Sequence, residues 1–141
     1  MIDLFRGKYY WLSNFYHSLL VYEGFQYPSV ENAFQAAKVF GEDRKKFQFC
    51  SAAEAKKLGR KVKLRSDWEK VKFSIMKEIL RAKFSNPILR RKLLETGNEV
   101  LVEGNTWGDR VWGVCNGSGQ NWLGKLLMKI REEIRNADSI N

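Results

Sequence analysis

The 141 residues hold one histidine, two cysteines and two prolines. With His17 as the only imidazole, a histidine-rich zinc site is poorly supported, and so is a Ser-His-Asp or Cys-His nucleophile system. Cys50 and Cys115 lie far apart in sequence. A disulfide is open to them, but two free thiols in a reducing compartment is the preferred reading. No run approaches the ~20 consecutive apolar residues of a membrane span. The start, Met1-Ile2-Asp3-Leu4-Phe5-Arg6, has no basic segment leading into an apolar one. No secretory signal is therefore expected, and the expected location is cytoplasmic. Internal repeats and linker-like stretches are also lacking, so one domain over residues 1–141 is expected.

What is present points to a packed, basic protein. The chain is 44% hydrophobic and 13% aromatic, which argues against disorder. Its net charge of +9, from 25 Lys+Arg against 16 Asp+Glu, favours an anionic partner such as a phosphorylated small molecule or nucleic acid. Solubilising surface lysines would give the same total.

In chain order, the aromatic-rich residues 4–16 read as one or two strands with a turn near Arg6-Gly7-Lys8. Residues 18–22 and 25–27 read as a hairpin turning at Glu23-Gly24. Ser29 caps a helix that ends at Gly41. Ser51-Ala52-Ala53-Glu54 is a capping box opening a short basic helix to Gly59, and Ser66-Asp67-Trp68-Glu69 opens another to Phe84. Asn86-Pro87 starts a helix that Gly97 follows. Val100–Glu103 is a strand candidate. A last helix spans 122–135, burying Leu123, Leu126 or Leu127, Ile130 and Ile134, and a frayed tail covers 136–141. The class is α+β, mainly helical, with a small antiparallel sheet.

Two stretches carry candidate chemistry. At about 100° per residue, Glu31, Gln35 and Lys38 fall within about 60° of one another on a helix. Val30, Phe34, Ala33 and Ala37 make the neighbouring apolar face. Such a helix can lie on the surface with its polar face in water. Its small residues and aromatic flanks favour burial instead, where an acid and an amine tune each other. A desolvated Lys38 would be an amine nucleophile; a snorkelling lysine is its alternative. The second stretch, 103–121, spends five glycines with Trp107 and Trp112. Glycine loops can cradle phosphate with backbone N–H groups, tryptophan offers a face to a base, and the next helix N-terminus can meet an anion. A long turn packed by its own tryptophans is the alternative. Glu31 and Asp109 are candidates for acid/base or oxocarbenium-stabilising work, or simply for salt bridges and caps. Trp68 is a core anchor or a stacking surface, and Arg60 and Arg65 beside it can hold phosphate. A basic cluster runs through Lys56, Lys57, Arg60, Lys61, Lys63 and Arg65.

Several segments together resemble the NADAR superfamily, including its YbiA-like N-glycosidases. They are Phe5-Arg6-Gly7, Leu12-Ser13-Asn14-Phe15, Tyr27-Pro28-Ser29-Val30-Glu31, Phe34-Gln35-Ala36-Ala37-Lys38, Trp68, Lys83-Phe84, Leu93–Gly97, Asp109–Gly113, Gly119–Met128 and Arg131. The resemblance implies a mainly helical α+β domain that binds ADP-ribose-like or ribosylated nucleotide ligands without a cofactor or metal. It implies hydrolysis of N-glycosidic bonds. One branch acts on early riboflavin-pathway intermediates, and another removes ADP-ribose from guanine bases of DNA or RNA. Carried onto this chain, it implies Glu31 as acid/base or ribose-binding carboxylate and Lys38 as the amine that captures ribose C1. Trp68, Asp109 and Trp112 would line the pocket, with Asp109 counted as catalytic. Asn14 and Asn121 would bind polar groups, with Phe15, Gln35, Arg60, Gly113 and Gly119 as further substrate-binding positions. A non-catalytic nucleic-acid or ADP-ribose binding module is the rival reading.

Overall fold

The computed structural model describes residues 1–140, with side chains to Ser139. Among these residues are five α-helices, two 3-10 helices and four short strands. The elements divide between two compact units, one of Asn14–Lys83 and the other of Met1–Ser13 with the chain from Phe84 on. The mainly helical α+β class and the small antiparallel sheet are as expected.

In the Asn14–Lys83 unit, β1 (Leu20–Tyr22) and β2 (Phe25–Tyr27) form an antiparallel hairpin with Leu20 opposite Tyr27. The turn works because Glu23 and Gly24 both take positive φ, 47° and 85°, which matches the twist of the strands. Ser29 then caps α1 (Val30–Ala36), its side chain accepting from the Asn32 N–H. The helix stops at Ala36, short of the expected Gly41. Lys38 N–H donates to Gln35 C=O and Val39 N–H to Ala36 C=O, a three-residue spacing that tightens and ends the helix. Gly41, at φ +57°, opens a 3-10 helix (Gly41–Phe47) instead. α2 (Ala52–Gly59) begins with the full reciprocal capping box of Ser51 and Glu54. α3 (Trp68–Lys83) starts after Asp67, so Ser66 sits one position too early to be its cap, and the Asp67 carboxylate is taken by Arg65 at 2.6 Å.

Every residue of α1 is buried, and α2 and α3 both pack on it. The close approach of α2 depends on Gly59, where a Cβ would stand 1.8 Å from Gln35 Oε1. Asn32, fully buried, donates to the carbonyls of Phe47 and Cys50 at 2.9 and 3.0 Å and ties α1 to the segment before α2.

In the other unit, residues 7–12 form a 3-10 helix, not the expected strands. Gly7 at φ +59° breaks the extended run, and Trp11 turns inward to meet Phe84 edge-on at 6.3 Å. α4 (Pro87–Glu95) is capped by Asn86, whose side chain accepts from the N–H groups of Ile88 and Leu89. Val100–Glu103 contributes only a bridge of Leu101 to Ile2. The pairing falls later, where β3 (Gly104–Asn105) runs parallel to β4 (Val114–Cys115). α5 (Trp122–Ile140) buries Leu123, Leu126, Leu127 and Ile130 and leaves Ile134 half-buried. The helix continues through the expected frayed tail to Ile140, with Arg90 reaching Asp138; Asn141 lies outside the described residues.

Candidate functional site

Glu31 sits in the first turn of α1 at 8% exposure, and Gln35 at 6%. One turn separates them, so the Gln35 amide donates to Glu31 Oε1 at 2.9 Å. The Glu31 backbone N–H, one of the donors a helix start leaves over, is taken by the Asn14 carbonyl at 3.0 Å. That bond brings Asn14 and Phe15 to the head of α1. Asn14 Nδ2 faces the Met76 sulfur at 3.7 Å. The acceptor oxygens of Asn14 and Gln35 are both buried with no hydrogen-bond partner. Buried acceptors without donors are costly, and that of Gln35 lies against the Gly59 backbone.

Lys38 follows the helix end rather than lying on it. Its ammonium donates to Gly59 C=O at 3.3 Å and lies 5.9 Å from the centre of the Trp68 ring. Burial pulls its pKa below the ordinary lysine range; Glu31 opposes that shift and Arg60 adds to it. Trp68 is buried at the start of α3 and packs on Phe34, with ring centres 5.0 Å apart and planes at 51°. The expected alternatives for Lys38 and Trp68 thus merge. The lysine is half-buried with its ammonium on a carbonyl, and the tryptophan is at once a core anchor and the surface under the amine.

The two arginines differ. Arg65 is committed: it pairs with Asp67 through two nitrogens, at 2.6 and 3.1 Å, and lies 4.4 Å from the Phe40 ring centre. Its charge is therefore already balanced within the chain. Arg60 caps the end of α2 and is exposed. Phe15 is half-buried with Lys56 above its ring at 5.9 Å.

Asp109, Trp112, Gly113, Gly119 and Asn121 belong to the other unit. Asp109 Oδ1 accepts from the N–H groups of Val111 and Trp112, at 3.1 and 2.9 Å, and so forms the turn that carries Trp112. Asn121 accepts from Glu103 N–H at 3.0 Å and donates to Leu101 C=O at 2.9 Å, clamping the loop's base. Gly113 and Gly119 allow backbone to touch: a Cβ would stand 2.2 Å from the carbonyl of Glu103 or of Gly113, respectively. The α5 N-terminus is closed to an anion from outside. The N–H groups of Gln120, Asn121, Trp122 and Leu123 already donate to the carbonyls of Arg110, Gly113, Val111 and Trp112. The loop supplies the start of α5 with its own acceptors, so those donors are spent.

Three buried groups went unassigned in the sequence reading. Arg44, 4% exposed, donates to Val39 C=O and Glu23 at 2.9 Å each, holding the turn after Lys38. Gly59 ends α2, and its contact with Gln35, remote in sequence, shows only in the fold. Lys83, 1% exposed, lies 5.6 Å from the Tyr16 ring centre. Its place in the apolar stripe of α3 was the available signal. Among the described residues, no cluster of His, Cys, Asp or Glu is arranged to hold a metal, and no helix is long and apolar enough to cross a membrane.

Comparison with known proteins adds ancestry to this geometry. The NADAR domain family model matches residues 4–135. A Nostoc punctiforme protein named an N-glycosidase is 44% identical over 121 residues, covering 79% of this chain and 77% of the relative. A Vibrio vulnificus riboflavin biosynthesis protein is 37% identical over 131 residues, covering 88% of this chain and 35% of its own length. The NMR structure of the E. coli protein YbiA superposes with a TM-score of 0.88 at 35% identity, over 99% of this chain and 88% of YbiA.

Proposed function

Because the chain belongs to the NADAR family, we propose that it is an N-glycosidase whose substrate is an ADP-ribosylated guanine base of nucleic acid or a ribosylated nucleotide. The observation that carries the reading is the pair of buried Glu31 and Gln35 with the half-buried Lys38 beside Gly59 and Trp68. Simple recognition of an anion does not call for a desolvated amine beside a buried carboxylate.

In the proposed reaction, the bond between C1 of the ribose and the base nitrogen breaks, and its electron pair leaves with the base, which takes up a proton. Positive charge develops at C1, and Glu31 stabilises it at short range in a water-poor site. The acceptors of Asn14 and Gln35 suit ribose hydroxyls as donors. The Lys38 amine adds to C1 and gives up a proton. The C1–O4 bond of the sugar ring then opens with O4 taking up a proton to leave an imine, and one water restores the amine and frees the sugar. The lowered pKa of Lys38 raises the fraction of neutral, nucleophilic amine. Within its own unit, Asp109 holds the turn that carries Trp112.

Borohydride added during turnover should reduce the imine and leave a sugar adduct on Lys38, read by peptide mass. An unmodified Lys38 together with a fully active Lys38→Ala variant would remove the covalent step. Glu31→Gln should fold and lose most turnover; wild-type rates would exclude Glu31 from the chemistry. The name of the Vibrio relative favours a second substrate, a phosphorylated intermediate of riboflavin synthesis. Parallel assays with an ADP-ribosylated oligonucleotide, a ribosylated nucleotide and a phosphorylated riboflavin-synthesis intermediate decide between them.

A further inference from the structure

The segment 60–65 is tied to Lys38 at both ends. At its start, the Lys38 ammonium donates to the carbonyl of Gly59, at 3.3 Å. At its end, Arg65 N–H donates to the Lys38 carbonyl at 3.0 Å, and the Arg65 guanidinium reaches Ala37 C=O at 3.4 Å. A short loop is thereby closed over the candidate amine. From Ala55 to Ser66 the sequence has six basic residues and no acidic one. Two of the six are absorbed locally, Arg65 by Asp67 and Lys56 over Phe15. Arg60, Lys61 and Lys63 are exposed, and none of the three has a carboxylate partner among the described residues. Arg60 is near enough to Lys38 to act on its charge. Phe40, 60% exposed, lies under Arg65 at the loop's end. Three uncompensated cations on one short loop repel one another, and a row of phosphates would relieve that repulsion.

We propose that the loop Arg60–Arg65 binds the sugar–phosphate backbone of a polynucleotide, holding the strand beside the nucleotide that enters the Lys38 site. The proposal rests on the N-glycosidase reading only for what enters that site. A single ribosylated nucleotide carries too few phosphates to engage Arg60, Lys61 and Lys63 together, whereas a strand repeats one phosphate per nucleotide.

The test is fluorescence anisotropy of the full chain with a labelled, unmodified single-stranded oligonucleotide over a salt series. The Lys61→Ala/Lys63→Ala variant should lose two phosphate contacts. Its slope of log affinity against log salt should fall by about 1.4, and its affinity at low salt about tenfold, equally for unrelated sequences. Lys61→Arg/Lys63→Arg should keep the wild-type slope. An unchanged slope in the alanine variant overturns the proposal, as does a wild-type protein that binds polyglutamate as well as the oligonucleotide. Binding is read without turnover, so a missing Lys38 adduct strikes the glycosidase reading while an unchanged slope strikes the loop alone.

Discussion

Replacing Lys83 by methionine should remove a large part of the protein's stability gain with rising pH. The side chain is 1% exposed, and burial pushes its pKa from 10.5 down to about 7. A lysine whose folded pKa is depressed binds its proton less well folded than unfolded. Below pH 7 both states are protonated and the full penalty is present. Between the folded value and the ordinary value of 10.5, the unfolded chain holds more protons, so stability rises with pH. The whole gap is worth roughly 5 kcal/mol. From pH 7 to pH 9.5 the recoverable part is about 3 kcal/mol, an upper figure for one group. The scan stops there for a reason. Burial holds Tyr27 up to about 12 and Tyr22 higher still. Above about pH 10 the unfolded tyrosines ionise first and stability falls. Lys38, also depressed, adds a slope of the same sign to both proteins, so it cancels in the difference. Urea midpoints of wild type and Lys83→Met, followed by circular dichroism at steps from pH 7 to 9.5, measure the effect. Wild type should gain on the order of 1.5 M in midpoint relative to the variant. A variant that rises with pH as steeply as wild type would refute the buried neutral amine.

Gly59→Ala places a methyl 1.8 Å from Gln35 Oε1, so Gln35 must leave Glu31. A loss of about 1–3 kcal/mol is expected by denaturation, with turnover falling further than stability explains; a wild-type melting point would show that α2 yields freely. Asp109→Ala removes the acceptor for Val111 and Trp112 and should cost about 1–2 kcal/mol by thermal melting. Asp109→Asn keeps an acceptor oxygen. Near-wild-type rates in the Asn variant would mark Asp109 as a turn former, and rates as low as in the Ala variant would mark its charge as necessary. The Lys38 trapping and the loop neutralisation above complete the set.

Where backbone chemistry is local, the sequence was legible. Glu23-Gly24, Ser29, Ser51 with Glu54, and Asn86-Pro87 each act on residues within a turn of themselves, and each does so in the structure. The aromatic stretch 4–16 misled because aromatics favour strands on average, while here Gly7 and the burial of Trp11 against Phe84 decide the matter. The helix start after the glycine-rich loop misled in a related way. It reads as an anion site, yet its N–H groups from Gln120 to Leu123 meet the carbonyls of Arg110, Gly113, Val111 and Trp112. Ser66 failed as a cap by one position, because Arg65 and Asp67 pair across it.

By itself, the sequence determined the mainly helical α+β class, the family to which the chain belongs, and the helical spacing that lets Glu31 meet Gln35. These follow from short-range periodicity and from motifs, which need no knowledge of distant partners. Only the tertiary structure decided how deeply this row is buried. Gly59 from α2 and Trp68 from α3 cover one side of Lys38, and burial rather than sequence neighbourhood lowers its pKa. The same is true of Arg65, spent on Asp67, and of Arg60, Lys61 and Lys63, left uncompensated on a loop pinned to Lys38. Desolvation and charge pairing depend on what lies within a few ångströms, and residues 20 or 30 positions apart reach that range only when the chain folds.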